Sequence, residues 1–97
     1  MVNIKFFSAT WCGPCQQMKP HMERLAKSGY PVEFIDIDEQ PTIAESVEVR
    51  GVPTTAIYEN GVLGERVVGY EDVDRLKKRI DIYHKPIKLT AQKKPKK

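Results

Sequence analysis

The stretch Trp11-Cys12-Gly13-Pro14-Cys15 constrains this chain more than any other. It holds the only two cysteines and the only tryptophan among 97 residues. It lies between the apolar run Ile4-Lys5-Phe6-Phe7 and a helical pattern that starts just after it. Two thiols three positions apart at a strand-to-helix junction can close a small disulfide ring without moving the rest of a domain. The thiolate is the reactive form, and a helix N-terminus favours it through unpaired N–H groups and the positive end of the helix dipole. The spacing therefore predicts Cys12 at or just before the first turn, exposed. Cys15 is expected one turn inside, more buried and on the same helix face. Gly13 is read as allowing a tight turn. Pro14 suits the first helical turn, where a missing N–H does no harm, and it stiffens the ring.

Other uses of the pair are weaker. A bridge across so few residues restrains the unfolded chain little, so a purely structural disulfide gains little stability. Zinc needs about four ligands, and only His21 and His84 stand beside the cysteines. A metal could then only be shared between two chains, and none is expected. Both histidines are read as surface residues.

A chain of this length makes one domain with a single modest core. Its 40% apolar and 30% charged residues are ordinary for a soluble protein. No apolar run approaches the roughly 20 residues of a membrane helix. The N-terminus enters a strand-like segment directly, without the features of a secretory signal. A cytoplasmic location is expected, where a cysteine pair is more often catalytic than structural. The net charge of +3 hides a division: residues 85–97 carry six lysines and no acid, which leaves residues 1–84 at −3. Nucleic-acid binding by the whole protein is excluded on that ground. The expected organisation is a domain over 1–84 followed by a basic, disordered tail over 85–97. That tail is read as solubilising, the alternative being contact with an anionic partner surface.

In order along the chain, Val2 to Phe7 reads as a central strand covered on both faces. From Pro14 to about Ser28, the residues Met18, Met22, Leu25 and Ala26 keep helical spacing. Pro20 interrupts that helix with an expected bend rather than a break, and Gly29 is the candidate C-cap. Val32 to Ile37 is a second strand, parallel to the first through a right-handed crossover. A short helix is expected over 41–48, with Thr42 as an alternative cap and Ile43, Ala44 and Val47 turned inward. Strand Thr54 to Tyr58 leads through Asn60-Gly61, a hairpin signal, into Gly64 to Val68. A last helix over 71–83 turns Val73, Leu76, Ile80 and Tyr83 inward. Tyr58, Tyr70 and Tyr83 are read as packing residues. The order is βαβαββα, an α/β domain.

These residues together resemble the thioredoxin family. Trp11-Cys12-Gly13-Pro14-Cys15 matches the family's active site in full, and Pro20 matches its kink proline. Val52-Pro53-Thr54 resembles the loop whose proline is cis and faces the disulfide. Gly69 resembles the glycine beside the substrate groove. The resemblance covers residues 2–83. It implies a thioredoxin-like fold with a four-stranded mixed sheet in the order 2-1-3-4, flanked by three helices.

Two departures stand out. Thioredoxins usually have an extra strand and helix before the segment that begins here at Val2, so the core is closer in size to a glutaredoxin. Family members also generally carry a buried aspartate six residues before the first cysteine, accompanied by a lysine on the next strand. Those places are Phe6 and Phe34 here. Losing both is coherent, since losing one would strand a buried charge. Resolution of the mixed disulfide is therefore expected to be less assisted.

The resemblance implies a thiol–disulfide oxidoreductase that reduces protein disulfides. Cys12 would be the nucleophile and Cys15 the resolving thiol, with Trp11, Gly13 and Pro14 forming the active-site loop. Val52, Pro53, Thr54 and Gly69 would bind substrate, and Trp11 would shape that surface. No cofactor would be bound. Re-reduction would come from thioredoxin reductase or a similar disulfide reductase, with NADPH and FAD on that partner. Substrates would be exposed protein disulfides, such as those of ribonucleotide reductase or peroxide-removing enzymes, and a monomer is expected. The alternatives are a glutathione-dependent, glutaredoxin-like reductase, an oxidant of an oxidising compartment, or a non-catalytic thioredoxin-fold partner module.

Overall fold

The computed structural model describes residues 1–84, with the side chain of His84 outside the description. The expected tail over 85–97, and with it the boundary after residue 84, lies outside the described residues. The elements follow in the order β1 (Val2–Ser8), α1 (Gly13–Lys27), β2 (Val32–Asp36), α2 (Pro41–Ser46), β3 (Thr54–Glu59), β4 (Val62–Val68) and α3 (Val73–His84). The four strands form one sheet in the order β2-β1-β3-β4. β1 runs parallel to β2 and antiparallel to β3, and β3 pairs antiparallel with β4. This is the expected topology.

Alternation along β1 divides the core. Val2, Ile4 and Phe6 point to one face, where they meet Met18, Met22 and Leu25 of α1 and Leu76 and Ile80 of α3. Phe7 points to the other face and packs with Ile35, Ala44 of α2 and Ala56. Each large side chain so buried contributes roughly 1.5–3 kcal/mol. Both faces of β1 are thus filled, as two adjacent phenylalanines require.

The α1 helix buries one stripe, Cys15, Met18, Met22 and Leu25, and runs through Pro20 without a break. Pro20 lies on the exposed side. Gly29 follows the terminal Ser28 with φ +106°, the left-handed conformation that ends helices. The α2 helix departs from expectation. It spans six residues, and the residue before it, Gln40, makes no side-chain cap bond. Thr42 sits inside the helix rather than capping it, because Pro41, with its fixed φ, already starts the turn.

Asn60 and Gly61 take φ values of 54° and 84°, the pair of positive angles that the tight hairpin needs. β4 starts at Val62, earlier than the expected Gly64, because a register shift opposite Ile57 and Tyr58 absorbs Gly64 as an extra residue. Gly64 leaves room for the Tyr83 ring, which a Cβ there would approach to 3.0 Å. The Tyr83 hydroxyl donates to Glu65 at 3.2 Å, and Arg79 pairs with the same carboxylate. The end of α3 is thereby fastened to β4.

Candidate active site

Parallel pairing of β1 with β2 puts the loop after β1 and the start of α1 at one end of the sheet. Cys12 is the N-cap of α1, with φ −93° and ψ 111°. Its N–H donates to the Ala9 carbonyl at 3.2 Å, and the Gln16 side-chain amide donates to the same oxygen at 3.0 Å. The loop is thus tied to both the strand and the helix. Cys12 and Cys15 form a disulfide with Cα atoms 5.2 Å apart. The Cys15 N–H, free of a helical partner in the first turn, points at the Cys12 Sγ at 3.2 Å.

The exposure expected of Cys12 is corrected by the structure. Cys12 is only 5% exposed and Cys15 is fully buried. The Cys12 Sγ is bonded to Cys15 and lies 3.6 Å from the Val52 carbonyl oxygen, so the neighbouring loop covers most of it. Cys12 is still the outer of the two cysteines. Gly13 also differs from its reading: it is the first helical residue, outside the left-handed region, and a Cβ there would meet nothing within 4 Å. Pro14 occupies the second helical position, as its missing N–H allows.

The other expected residues gather around the disulfide. Val52-Pro53 is a cis peptide bond. Val52 and Ile37 pack against the cluster of Ala9, Cys12 and Cys15. Pro53 is buried, and its carbonyl accepts the Gly69 N–H at 2.7 Å. The Thr54 hydroxyl donates to the Gly51 carbonyl at 2.5 Å, so it braces the loop and does not face outward. Trp11 is 67% exposed beside the cysteines, and Tyr70, next to Gly69, is 50% exposed. The packing role expected of Tyr70 is not found, because the turn at Gly69 carries the chain out of the sheet before α3 begins. Tyr58 and Tyr83 are half-buried against the core as expected.

Asp38 is a site residue that motif reasoning misses. Its carboxylate accepts the Trp11 indole N–H at 2.8 Å. Asp36 holds the segment in place, its carboxylate accepting the Asp38 N–H at 2.8 Å. The only signal in the sequence is an Asp-x-Asp after a strand, which reads as a turn. Phe6 and Phe34 are register partners on β1 and β2, with ring centroids 5.9 Å apart at 75°. His21 is half-buried and contacts Arg24, away from the cysteines. Among the described residues no cluster of three or more His, Cys, Asp or Glu could hold a metal ion. Nor is any helix among them long and apolar enough to cross a membrane.

The family model for thioredoxin matches residues 2–82. Mitochondrial thioredoxin-3 of Saccharomyces cerevisiae is 42% identical over 65 residues, 65% of this chain and 51% of the relative. This chain therefore spans about half the length of that relative. A thioredoxin of Staphylococcus saprophyticus is 35% identical over 83 residues, 82% of this chain and 80% of the relative. Among solved structures, a single-residue mutant of thioredoxin from Halobacterium salinarum superimposes with a TM-score of 0.80 at 43% identity, covering 84% of this chain and 74% of that one. With a family match over residues 2–82, a shared sheet topology and a cysteine pair bonded at the head of α1, this chain belongs to the thioredoxin family of thiol–disulfide oxidoreductases.

Proposed function

We propose that the chain reduces protein disulfides, with Cys12 as nucleophile and Cys15 as resolving thiol. The observation that carries the assignment is the asymmetry of the two sulfurs. Cys12 caps α1 and its Sγ accepts a backbone N–H at 3.2 Å, while Cys15 is fully buried one turn inside. In the reduced protein that N–H and the helix N-terminus favour a Cys12 thiolate. The thiolate attacks one sulfur of the substrate disulfide and displaces the other as a thiolate. Cys15 then loses its proton and attacks the Cys12 Sγ. The Cys12–Cys15 bond forms, the mixed disulfide breaks, and the substrate leaves with two electrons and two protons gained.

Trp11, Gly13 and Pro14 form one rim of the substrate surface, and Val52 and Gly69 the other. The exposed indole offers a flat apolar contact, and the Val52 carbonyl beside Cys12 suits main-chain pairing with an extended peptide. Thr54 and Pro53 act from beneath, by fixing the loop. The protein needs no bound cofactor, because the electrons reside in the cysteine pair. A thioredoxin reductase, carrying the flavin and drawing on NADPH, restores the dithiol. The setting is a reducing compartment, the cytoplasm, and the working unit is a monomer. The relative from yeast is named for the mitochondrion, so subcellular fractionation of the tagged chain decides the compartment.

The test follows NADPH oxidation with a protein disulfide substrate, using thioredoxin reductase in one arm and glutathione with glutathione reductase in the other. Turnover only in the first is expected. Turnover only in the second makes the chain glutaredoxin-like in its donor. A double Cys→Ser variant that keeps its cellular role supports a non-catalytic module instead.

A further inference from the structure

Thr55, the second residue of β3, is fully buried, yet its hydroxyl has no hydrogen-bond partner. It is the one such buried side-chain polar atom among the described residues. Leaving a buried hydroxyl unsatisfied is destabilising, so each case in a folded protein needs a reason. Neighbouring Thr54 shows the ordinary solution, a bond to the Gly51 carbonyl.

The sheet register says where the orphan lies. Thr55 pairs with Phe6 on one side and Val67 on the other, and Phe6 pairs with Phe34. Phe6 and Val67 belong to the core beneath α1 and α3. Thr55 therefore points to that face. It also sits at the end of the sheet where β1 gives way to the cysteine loop, since the preceding residue pairs with Phe7. Cys15 opens the buried stripe of α1 one turn before Met18, at the junction where that stripe meets the cluster of Ala9 and Cys12.

We propose that Thr55 is a positioning residue for the second chemical step, holding through its hydroxyl a water that receives the proton of Cys15. The inference rests on the roles assigned above to the two cysteines. In the mixed disulfide the Cys12–Cys15 bond is open and Cys15 is a buried thiol. Its proton passes to the water bound by Thr55, and its lone pair attacks the Cys12 Sγ. The bond from Cys12 to the substrate sulfur breaks, and the water delivers the proton to the departing thiolate. On this face β1 presents Phe6, β2 Phe34, β4 Val67, α1 Met18, and α3 Leu76 and Ile80, none of them titratable. Two tyrosines, Tyr30 and Tyr83, also pack against this core, but their hydroxyls are engaged by Asp81 and Glu65. Lys5 and Arg66 share a register row with Ala56 and face the opposite side. Around the disulfide, Ala9, Ile37 and Val52 are apolar, and Asp38 is engaged by Trp11.

The test uses Thr55→Val, which keeps shape and removes the hydroxyl, and Thr55→Ser, which keeps the hydroxyl. Decay of a preformed mixed disulfide at Cys12 is followed by acid quench and mass analysis across pH. The expected result is a slowing of about 3- to 10-fold at neutral pH in Thr55→Val, with the pH midpoint moved upward. Thr55→Ser restores both. In a Cys12→Ser background, the ultraviolet absorbance of the Cys15 thiolate should titrate at higher pH once Thr55→Val is added. This reading needs no substrate, so it stands or falls separately from the cysteine assignment. Unchanged decay and titration in Thr55→Val overturn the proposal, as does a slow step that serine fails to restore.

Discussion

The N–H of Gly69 donates to the carbonyl of Pro53 at 2.7 Å, from a backbone with φ +94°. That bond joins the end of β4 to the loop that lies over Cys12, and it forms because the chain turns left-handed where β4 stops. A side chain at 69 would meet open space, yet the conformation itself resists one. Gly69→Val should therefore lose about 1–2 kcal/mol of stability and raise KM for a protein substrate. Gly13→Ala is the contrasting case, helical and unobstructed, and should be neutral or gain up to about 1 kcal/mol. Denaturation midpoints together with KM separate the two positions. Equal losses at both would refute the distinction.

Asp38 acts through Trp11. Their hydrogen bond spans two exposed groups and should be worth little to the fold, about 0.5–1.5 kcal/mol. Its value lies in fixing the indole plane beside the disulfide. Asp38→Ala should change the melting temperature slightly while raising KM roughly 2- to 5-fold, the loss expected for one ordered side chain at an interface. A wild-type KM in that variant would remove Asp38 from the site.

Phe6→Asp tests the apolar row beneath the cysteines. A carboxyl there loses the packing of a buried ring and should lower stability by roughly 3–5 kcal/mol. Burial raises its folded-state pKa above the unfolded value near 4. The sign follows: the variant is least destabilised below about pH 4 and loses further stability as pH rises toward the raised pKa. Because position 6 pairs with Thr55, the same carboxyl can accept the orphan hydroxyl. Resolution of the mixed disulfide should quicken. An unchanged rate and pH profile would show that this step needs no help from position 6.

Tyr30 ties the loop after α1 to α3 by donating to Asp81 at 2.9 Å. Burial, then the hydrogen bond and negative charge of Asp81, raise its pKa above the usual tyrosine value. The contribution is complete below about pH 10 and is lost as pH rises through the raised value. Urea titrations on either side of about pH 10 should show stability falling as the medium becomes more alkaline, with a shallower fall in Tyr30→Phe. An identical slope in the variant would place the alkaline loss elsewhere.

Much of the fold was legible because periodicity and punctuation agree. Phe6 and Phe7 point to opposite faces, Met18, Met22 and Leu25 follow one helical stripe, and Asn60-Gly61 marks a two-residue turn. The cysteine site was legible from spacing, and the Pro53 loop and Gly69 from family resemblance. What escaped depends on contacts distant in sequence. The cover over Cys12 comes from Val52, forty residues away. The partner of Trp11 comes from a turn after β2, and the exposure of Tyr70 follows from the direction in which the chain leaves Gly69. The missing partner of Thr55 is a property of a whole register row, which no local pattern encodes.

Trp11 is the only indole in the chain and stands next to the bond that the protein makes and breaks. A disulfide quenches an excited indole by accepting an electron, whereas a dithiol does so far less. The emission of one native residue should therefore report the oxidation state of the molecule, without a label and without an assay partner. On that expectation the redox couple carries its own optical gauge, and a glutathione titration followed by indole emission would yield its potential.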